Sequence, residues 1–476
     1  AGMKCAPNVP LEHVIDYSAR MQSSGLQFMD SPGNDLESVC GQVASGCNLI
    51  MFVTGSGSVT NFPFVPTVKV VTTTSRYDLL SNDMDVNAGS ILDGANVDDV
   101  ASESFELVRC VASGEKTAGE LAGHSQVQIW RNWRDVSESK VILDTQSPEI
   151  HAAGIPLRKQ RLTDRLLAEM KIAVDAPAAK RYCLVLPTSL CAGQVANLAA
   201  SRLNKKVTQL GDEISYVSLG HTEGCGVSSG SSEELLLEIL CGYLSHPLVV
   251  DSLVLEHGCE KVPAGYLRQF MLNKQMDPSL IGWASVQMDG GIESVLLRIE
   301  NWFTERGSDK RWMEQRDVGI DPMHVVAILG CADVNPDTGE AFASLCQLMS
   351  AAGVAVILPK GTSLLNSREF VSELFSEGPN SSLLPIGFAP SVAGVHIMDT
   401  QTDHLLETIT GMGASGVELF IAIAGSKLLQ GHPFIPMLQV GDCENKGVTG
   451  RANLFDLHGN CGHESWLPEL IEKIRE

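Results

Sequence analysis

The chain has 476 residues, with 57 acidic against 34 basic side chains, a formal net charge of −23 and 44% hydrophobic residues. That length suits about three domains at roughly 150 residues each, and 44 glycines with only 5% aromatics argue against a fibre or a disordered tail. An acidic surface of this size repels phosphate backbones and anionic lipid heads, so nucleic acid and membranes are excluded as expected partners. A small anionic substrate needs local positive charge, which a bound cation supplies. The 13 cysteines, odd in number and scattered, read as reduced thiols of a cytoplasmic or other reducing compartment. No apolar run reaches the roughly 18 residues of a membrane span, and no leader pattern opens the chain. It opens on Ala1 without an initiator Met, as a processed protein or a part of a longer one does.

Residues 25–70, "GLQFMDSPGNDLESVCGQVASGCNLIMFVTGSGSVTNFPFVPTVKV", align with residues 394–440, "GVHIMDTQTDHLLETITGMGASGVELFIAIAGSKLLQGHPFIPMLQV", with one inserted residue. Met29-Asp30 matches Met398-Asp399, Ala44-Ser45-Gly46 matches Ala414-Ser415-Gly416, and Pro63-Phe64 matches Pro433-Phe434. One structural unit therefore occurs twice. In each copy a polar loop follows "MD". An amphipathic helix then ends near the ASG, where glycine takes the left-handed C-cap. The next run, "NLIMFVTG" or "ELFIAIAG", has the length of a buried parallel strand.

Residues 136–178 are mixed and charged and read as a connector with one helical segment. From 181 the pattern predicts a strand "RYCLVLPTS", a strand "EISYVSLGH", a helix over 231–244, a strand "VVDSLVLEHG", a strand "GWASVQM" and a helix "IESVLLRIENWF". "PMHVVAILGC" (322–331) opens a third block, followed by a helix over 340–352, the strand "VAVILP" and the second repeat copy. Alternating strands and helices give the fold class: α/β, with Rossmann-like parallel-sheet domains and an internally repeated unit. The expected organisation is a first unit at 1–135, the connector at 136–178, a middle domain at 179–310 and a second unit at 320–476.

"HTEGCG" (221–226) and "EHGCEK" (256–261) fall at the ends of consecutive strands in this reading. In open α/β sheets ligands bind beyond the carboxyl ends of strands. His221, Cys225, His257, Cys259 and Cys331 are the candidate metal ligands, since imidazole and thiolate bind first-row metals. The spacing lacks the Cys-x2-4-Cys pairs of a structural zinc site, which points to a catalytic site assembled from separate loops. The plain alternative is a set of small buried residues at strand ends. "SNDMDVNAG" (81–89) offers Asp83, Asp85 and Asn87, or else an Asx-rich turn. "TGSGS" (54–58) presents backbone N–H groups but lacks dinucleotide or P-loop spacing. His432 in "QGHPF" reads equally as a substrate contact and as a capped core histidine.

These stretches, with "CLVLPTSLCAGQVA" (183–196), "GYLSHP" (242–247), "LEHGCEK" (255–261), "GWASVQMDGGIE" (282–293), "GLQFMDSPGN" (25–34), "DMDVNAG" (83–89) and "VASGEKTAGE" (111–120), resemble the altronate/galactarate dehydratase family, which also includes a sulfolactate sulfo-lyase subunit. The resemblance covers nearly all of the chain outside the connector. It implies dehydration of a hydroxylated sugar acid to a 2-keto-3-deoxy acid, commonly with iron(II). A cluster held by Cys225, Cys259 and Cys331, or another divalent metal, suits the same reaction. It further implies Glu223 or Glu260 as the base, Asp83 and Asp85 as partners of sugar hydroxyls, and Asp30, Asn34, Asn87 and His432 as substrate contacts. The order of units departs from the family's usual one, because a C-terminal-type unit comes first, without its own N-terminal half. Two other readings stay open: a catalytically silent assembly component, and a sulfo-lyase acting on a smaller hydroxy-acid. Self-association into a homo-oligomer is compatible with all three.

Overall fold

The computed structural model describes residues 9–128, 154–158, 163–174, 180–210, 214–224, 231–307, 323–379, 383–400, 402, 404–441, 455–458 and 466–475. Its first block holds β1 (Leu11–Ile15), β2 (Leu26–Met29), α1 (Asp35–Ser45), β3 (Ile50–Thr54), β4 (Thr67–Val71), α2 (Thr74–Leu79), β5 (Val86–Asn87), α3 (Val97–Ala112) and α4 (Ala118–Leu121). The sequence dictates α1 at both ends. Asn34 Oδ1 accepts from the Leu36 and Glu37 N–H groups at 3.0 and 3.3 Å, and Asp35 and Glu37 sit where the helix dipole favours negative charge. Gly46 closes it with φ 117°, a conformation that costs other residues strain.

Within the connector one helix, α5 (Asp164–Val174), is described. Its Met170 and Ala173 pack into the core of the last block. The middle block holds β6 (Arg181–Pro187), α6 (Leu190–Leu210), β7 (Ile214–Ser218), α7 (Ser231–Leu244), β8 (Val249–Glu256), α8 (Ala264–Asn273), β9 (Gly282–Ser285) and α9 (Ile292–Gly307). Its sheet is parallel, in the order β7-β6-β8-β9. Alternation along β6 sets the layers. Leu184 and Leu186 point to the core shared with α7 and α8, while Cys183 and Val185 point to the core shared with α6 and α9. Ile292, Val295, Leu296 and Ile299, expected on one helix face, are all buried there.

The last block holds β10 (Val325–Gly330), α10 (Pro336–Ala351), β11 (Ala355–Pro359), α11 (Arg368–Leu374), β12 (Leu384–Pro385), β13 (Gly394–Asp399), α12 (Leu405–Ala414), β14 (Leu419–Gly425), β15 (Met437–Gly441), β16 (Leu457–His458) and α13 (Trp466–Arg475). Seven parallel strands run in the order β12-β13-β11-β10-β14-β15-β16. The middle block lies between the other two. Its α7/α8 face continues into Ile409, Met412, Phe420 and Ile435 of the last block, and its α6/α9 face into Val59, Val71, Leu80 and Met84 of the first.

The repeat is structural as well as textual. Ile50 pairs Thr67 and Phe420 pairs Met437, equivalent positions in the aligned stretches. Lys69 N–H donates to Asp85 Oδ2 at 2.8 Å, and Gln439 N–H donates to Asp456 Oδ2 at 2.8 Å. One expectation changes. β3 is parallel, but Met51 and Val53 are 51% and 63% exposed. Their counterparts Ile421 and Ile423 are buried. The cause is a missing neighbour: β10 joins β11 to β14 in the last block. Among the described residues no strand lies between β1 and β3, so the first block is left with two sheets, β1-β2 and β3-β4-β5.

Candidate active site

The loops after β7 and β8 come together, although β6 separates their strands in the sheet. Lys261 N–H donates to the Gly224 carbonyl at 2.9 Å, and Leu190 N–H to the Glu223 carbonyl at 3.0 Å. The turn after β6, Thr188-Ser189, therefore forms the floor of the junction. Gly224 has φ +91°, and a Cβ there would stand 2.2 Å from the Thr188 carbonyl oxygen, so this contact needs glycine.

The Glu260 carboxylate clamps the turn. It accepts from Ser189 Oγ at 2.7 Å, Thr188 Oγ1 at 3.3 Å, Gly258 N–H at 2.7 Å and His257 N–H. These four bonds make Glu260 the group that holds the turn in place. Glu256 Oε2 accepts from Ala264 N–H at 2.9 Å, fixing the start of α8. Glu223 is exposed at the rim.

His221 is spent on the backbone. Its Nδ1 accepts from Glu223 N–H at 3.2 Å, so its Nε2 carries the proton and donates to the Pro187 carbonyl at 2.8 Å. Burial holds the ring's pKa below the usual range. As arranged, both ring nitrogens of His221 face backbone groups. His257 is fully buried. Its Nδ1 lies 3.4 Å from Cys259 Sγ and 3.2 Å from Gln287 Nε2, while its Nε2 has no hydrogen-bond partner among the described residues.

Cys259 is half-buried, and its thiol is pushed down to about 5. The hydrogen bond from Cys191 is the largest cause and the neighbouring His257 adds to it, against burial and the Glu260 charge. Cys191 lies in the first turn of α6, where a helix dipole favours an anion nearby. Ser58 of the first block reaches Cys191 Sγ at 3.5 Å and Thr60 Oγ1 at 3.1 Å. Gln287 Nε2 donates to the Ser56 carbonyl at 2.7 Å. Asp35, at the start of α1, hydrogen-bonds Ser58. Burial first, and also the charge on Cys259, holds its carboxyl above the ordinary range. The first and middle blocks thus meet here, with Cys259, His257 and Cys191 on one side and Asp35 and Ser58 on the other; His257, Cys191 and Ser58 are buried in the contact.

The other expected residues fall elsewhere. Asp83 Oδ1 binds His124 Nε2 at 2.7 Å, and Asp85 accepts from Lys69 N–H and from Ala118 N–H at 2.7 Å. They surround Lys69, whose Nζ is fully buried and lacks a hydrogen-bond partner among the described residues. Burial lowers the Lys69 pKa, against Asp85, Asp83 and Glu120. Asn34 Oδ1 is used in capping α1, Asn87 Oδ1 accepts from Thr74 Oγ1 at 3.3 Å, and Asp30 is exposed. His432 is packed against Tyr243. Its Nδ1 accepts from Ile435 N–H at 3.2 Å, its Nε2 lies 2.9 Å from the Tyr243 hydroxyl, and its ring stacks on Tyr243 at 5.6 Å. Burial pushes its pKa down to about 3. Cys331 follows β10, in a sheet separate from that of residues 221–224 and 256–261. The residue as a whole is exposed, and partial desolvation of its sulfur pushes that thiol up to about 11. Cys225 lies outside the described residues.

Among the described residues the expected donors do not converge on one point. Among the described residues no three His, Cys, Asp or Glu side chains are placed to hold a metal ion. His221 and Glu260 are engaged as above, and Cys331 belongs to another sheet. A cavity of about 730 Å³ beside Trp283, Arg298 and Trp302 contains none of the expected residues.

Sequence reasoning missed Cys191, Ser58, Asp35 and Gln287. Cys191 and Gln287 lay inside family-like stretches and Ser58 inside the "TGSGS" turn, but their roles, like that of Asp35, gain meaning only when the two blocks meet.

Residues 1–135 match the model for the C-terminal domain of D-galactarate/altronate dehydratase, and residues 178–306 match that for the second domain of D-galactarate dehydratase/altronate hydrolase. The altronate dehydratase of Bacillus subtilis is 32% identical over 124 residues, 26% of this chain and 25% of that protein. The galactarate dehydratase (L-threo-forming) of Escherichia coli is 35% identical over 122 residues, 25% of this chain and 23% of that protein. The (2R)-sulfolactate sulfo-lyase subunit beta of Chromohalobacter salexigens is 28% identical over 122 residues, 25% of this chain and 31% of that protein. The chain thus spans about a quarter of the length of the curated dehydratases it matches. Both sides of the contact, residues 35–58 and 188–260, fall inside the matched segments, and the chain belongs to the galactarate/altronate dehydratase family.

Proposed function

We propose that a crevice between these two blocks binds a hydroxylated sugar acid of the galactarate or altronate type and eliminates water from it, leaving a 2-keto-3-deoxy acid. The observation that carries this reading is the meeting of two family-matched blocks around Cys259 and Asp35. Elimination needs a base for the weakly acidic hydrogen beside the carboxylate and an acid for the departing hydroxyl. Cys259, held as a thiolate, takes the C2 proton. Asp35, on the facing side, gives a proton to the hydroxyl leaving C3, which departs as water; burial, which raises its carboxyl above the ordinary value, favours the protonated form. The enol left behind becomes the keto acid by proton transfer to C3. Lys261, exposed on the same loop, gives the substrate carboxylate a cation at the rim.

Iron(II) remains a proposal resting on the resemblance, and no step here runs through it. The last block carries different chemistry. Gln439 stands at the Lys69 position, and its side chain bonds the Leu429 N–H at 2.8 Å and the Leu429 carbonyl at 3.0 Å. We assign that block a packing role beneath the middle one.

The test is turnover on a panel of galactarate, altronate and sulfolactate, with keto-acid and sulfite formation followed separately and with metal content measured on protein purified without oxygen. Keto-acid formation from a sugar acid supports the reading. Sulfite release alone moves the chain to the sulfo-lyase reading, and no turnover with any metal overturns the enzyme.

A further inference from the structure

The two copies of the repeat differ by one element, and the difference leaves an unfilled slot. In the last block the order is β13-β11-β10-β14-β15-β16, with β10 hydrogen-bonded on both sides. In the first block β2-β1 and β3-β4-β5 repeat this order with the β10 position empty of described chain. The apolar face around the slot is laid bare in step. Val14, Phe28, Met51 and Val53 are 67%, 44%, 51% and 63% exposed, while Leu358, Ile397, Ile421 and Ile423, at the equivalent positions, are at most 6% exposed. What covers those four in the last block is the core that includes Val326 and Ile328 of β10 and Phe342 and Leu345 of α10. A cavity of about 220 Å³ between α1 and β3, lined by Asp35, Val39 and Met51 among others, opens at the same place.

We propose that the slot between β1 and β3 is the docking site for a strand–helix segment built like residues 325–351 and joined to the chain ahead of β1. Among the described residues β1 and β3 each pair on one side only, and their counterparts β11 and β14 flank one strand, β10, so the equivalent position calls for a parallel strand that pairs on both sides. The bare apolar face demands a helix over it. In the last block this segment directly precedes β11, the counterpart of β1, so a segment ahead of β1 enters the slot with the connection the fold already uses. Its arrival buttresses α1, whose first residue is Asp35, so it also steadies one wall of the crevice.

Hydrogen exchange tests this in two forms of the protein. In the unextended chain, the amides of 50–54 exchange faster than those of 420–424, their equivalents. Equal protection overturns the proposal, and protection that accompanies dimer formation on sedimentation assigns the slot to a second copy instead. In a chain extended ahead of Val9 by a flexible linker and a second copy of residues 320–354, exchange at 11–15 and 50–54 slows by about tenfold or more. The appended strand becomes protected too. Changing Val326 and Ile328 to Asp within the appended copy alone abolishes both effects. An appended segment that exchanges like unfolded chain while 50–54 stays fast overturns the proposal.

Discussion

The side-chain amide of Gln287 donates to the carbonyl of Ser56 at 2.7 Å, across 231 residues of chain. With the same nitrogen 3.2 Å from His257 Nδ1, this one side chain ties the first block to the reactive loop of the middle block. Gln287→Ala leaves the Ser56 carbonyl without its side-chain donor and removes the amide packed against the buried His257 ring. The expected cost is about 1–3 kcal/mol, read as a lower melting temperature, together with reduced turnover. An unchanged melting temperature means the two blocks are not held through this contact.

Cys259 is expected to react as a thiolate well below the usual thiol range. Its rate of alkylation by iodoacetamide, followed against pH by peptide mass spectrometry, should rise with a midpoint near the value of about 5, and Cys191→Ala should move that midpoint up. The sign of the linked stability follows. A thiol pKa depressed on folding contributes stabilisation that is complete above the unfolded value of 9.0 and declines as pH falls towards 5. A midpoint near 9 removes Cys259 from the role of base.

His221→Ala removes the bridge between the Pro187 carbonyl and Glu223 N–H. The loop then loses its seat on β6, with an expected cost of about 1–3 kcal/mol. Because Nδ1 accepts from an N–H, the neutral ring makes the bridge, and burial lowers the ring's pKa, so in thermal melts the loss should be fully present above the usual imidazole range and shrink as pH falls through the lowered value. A variant that loses bound metal without losing stability argues for the ligand role that the ring geometry opposes.

Gly242 lies where α7 crosses α12: a Cβ there would stand 2.0 Å from the Ala414 carbonyl oxygen. Gly242→Ala forces the middle and last blocks apart, at a cost of about 1–3 kcal/mol for overpacking. Differential scanning calorimetry should show a lower transition temperature. A gain in stability would mean that the two helices are not in close contact.

The sequence made much of this legible, for local reasons. Period-3.6 apolar spacing placed Ile292, Val295, Leu296 and Ile299 on one buried face, and the repeat was visible because both copies keep the same turn residues. Burial of β3 was not legible. "NLIMFVTG" is as apolar as "ELFIAIAG", but burial also depends on a neighbour strand on each side, and among the described residues β3 pairs only with β4. At the site, glycine, histidine and cysteine marked the two loops at once, since few residue types bind or turn in that way. The roles within those loops were less visible. His221 and Glu260 look like chemistry in a string of letters, yet both are used up by backbone and hydroxyl groups that only the turn after β6 brings near. Asp35 and Ser58 look like cap and turn residues until a block more than a hundred residues away closes over them.

The central claim is that the crevice between the first and middle blocks does the chemistry. Turnover of the sugar acid by Cys259→Ser and by Cys331→Ser, measured side by side on folded protein, tests it most directly. The account predicts a loss of about 10²- to 10⁴-fold in kcat for Cys259→Ser, the size expected when a positioned proton-transfer group is removed, and little change for Cys331→Ser. Full activity in Cys259→Ser, or equal losses in the two variants, contradicts it.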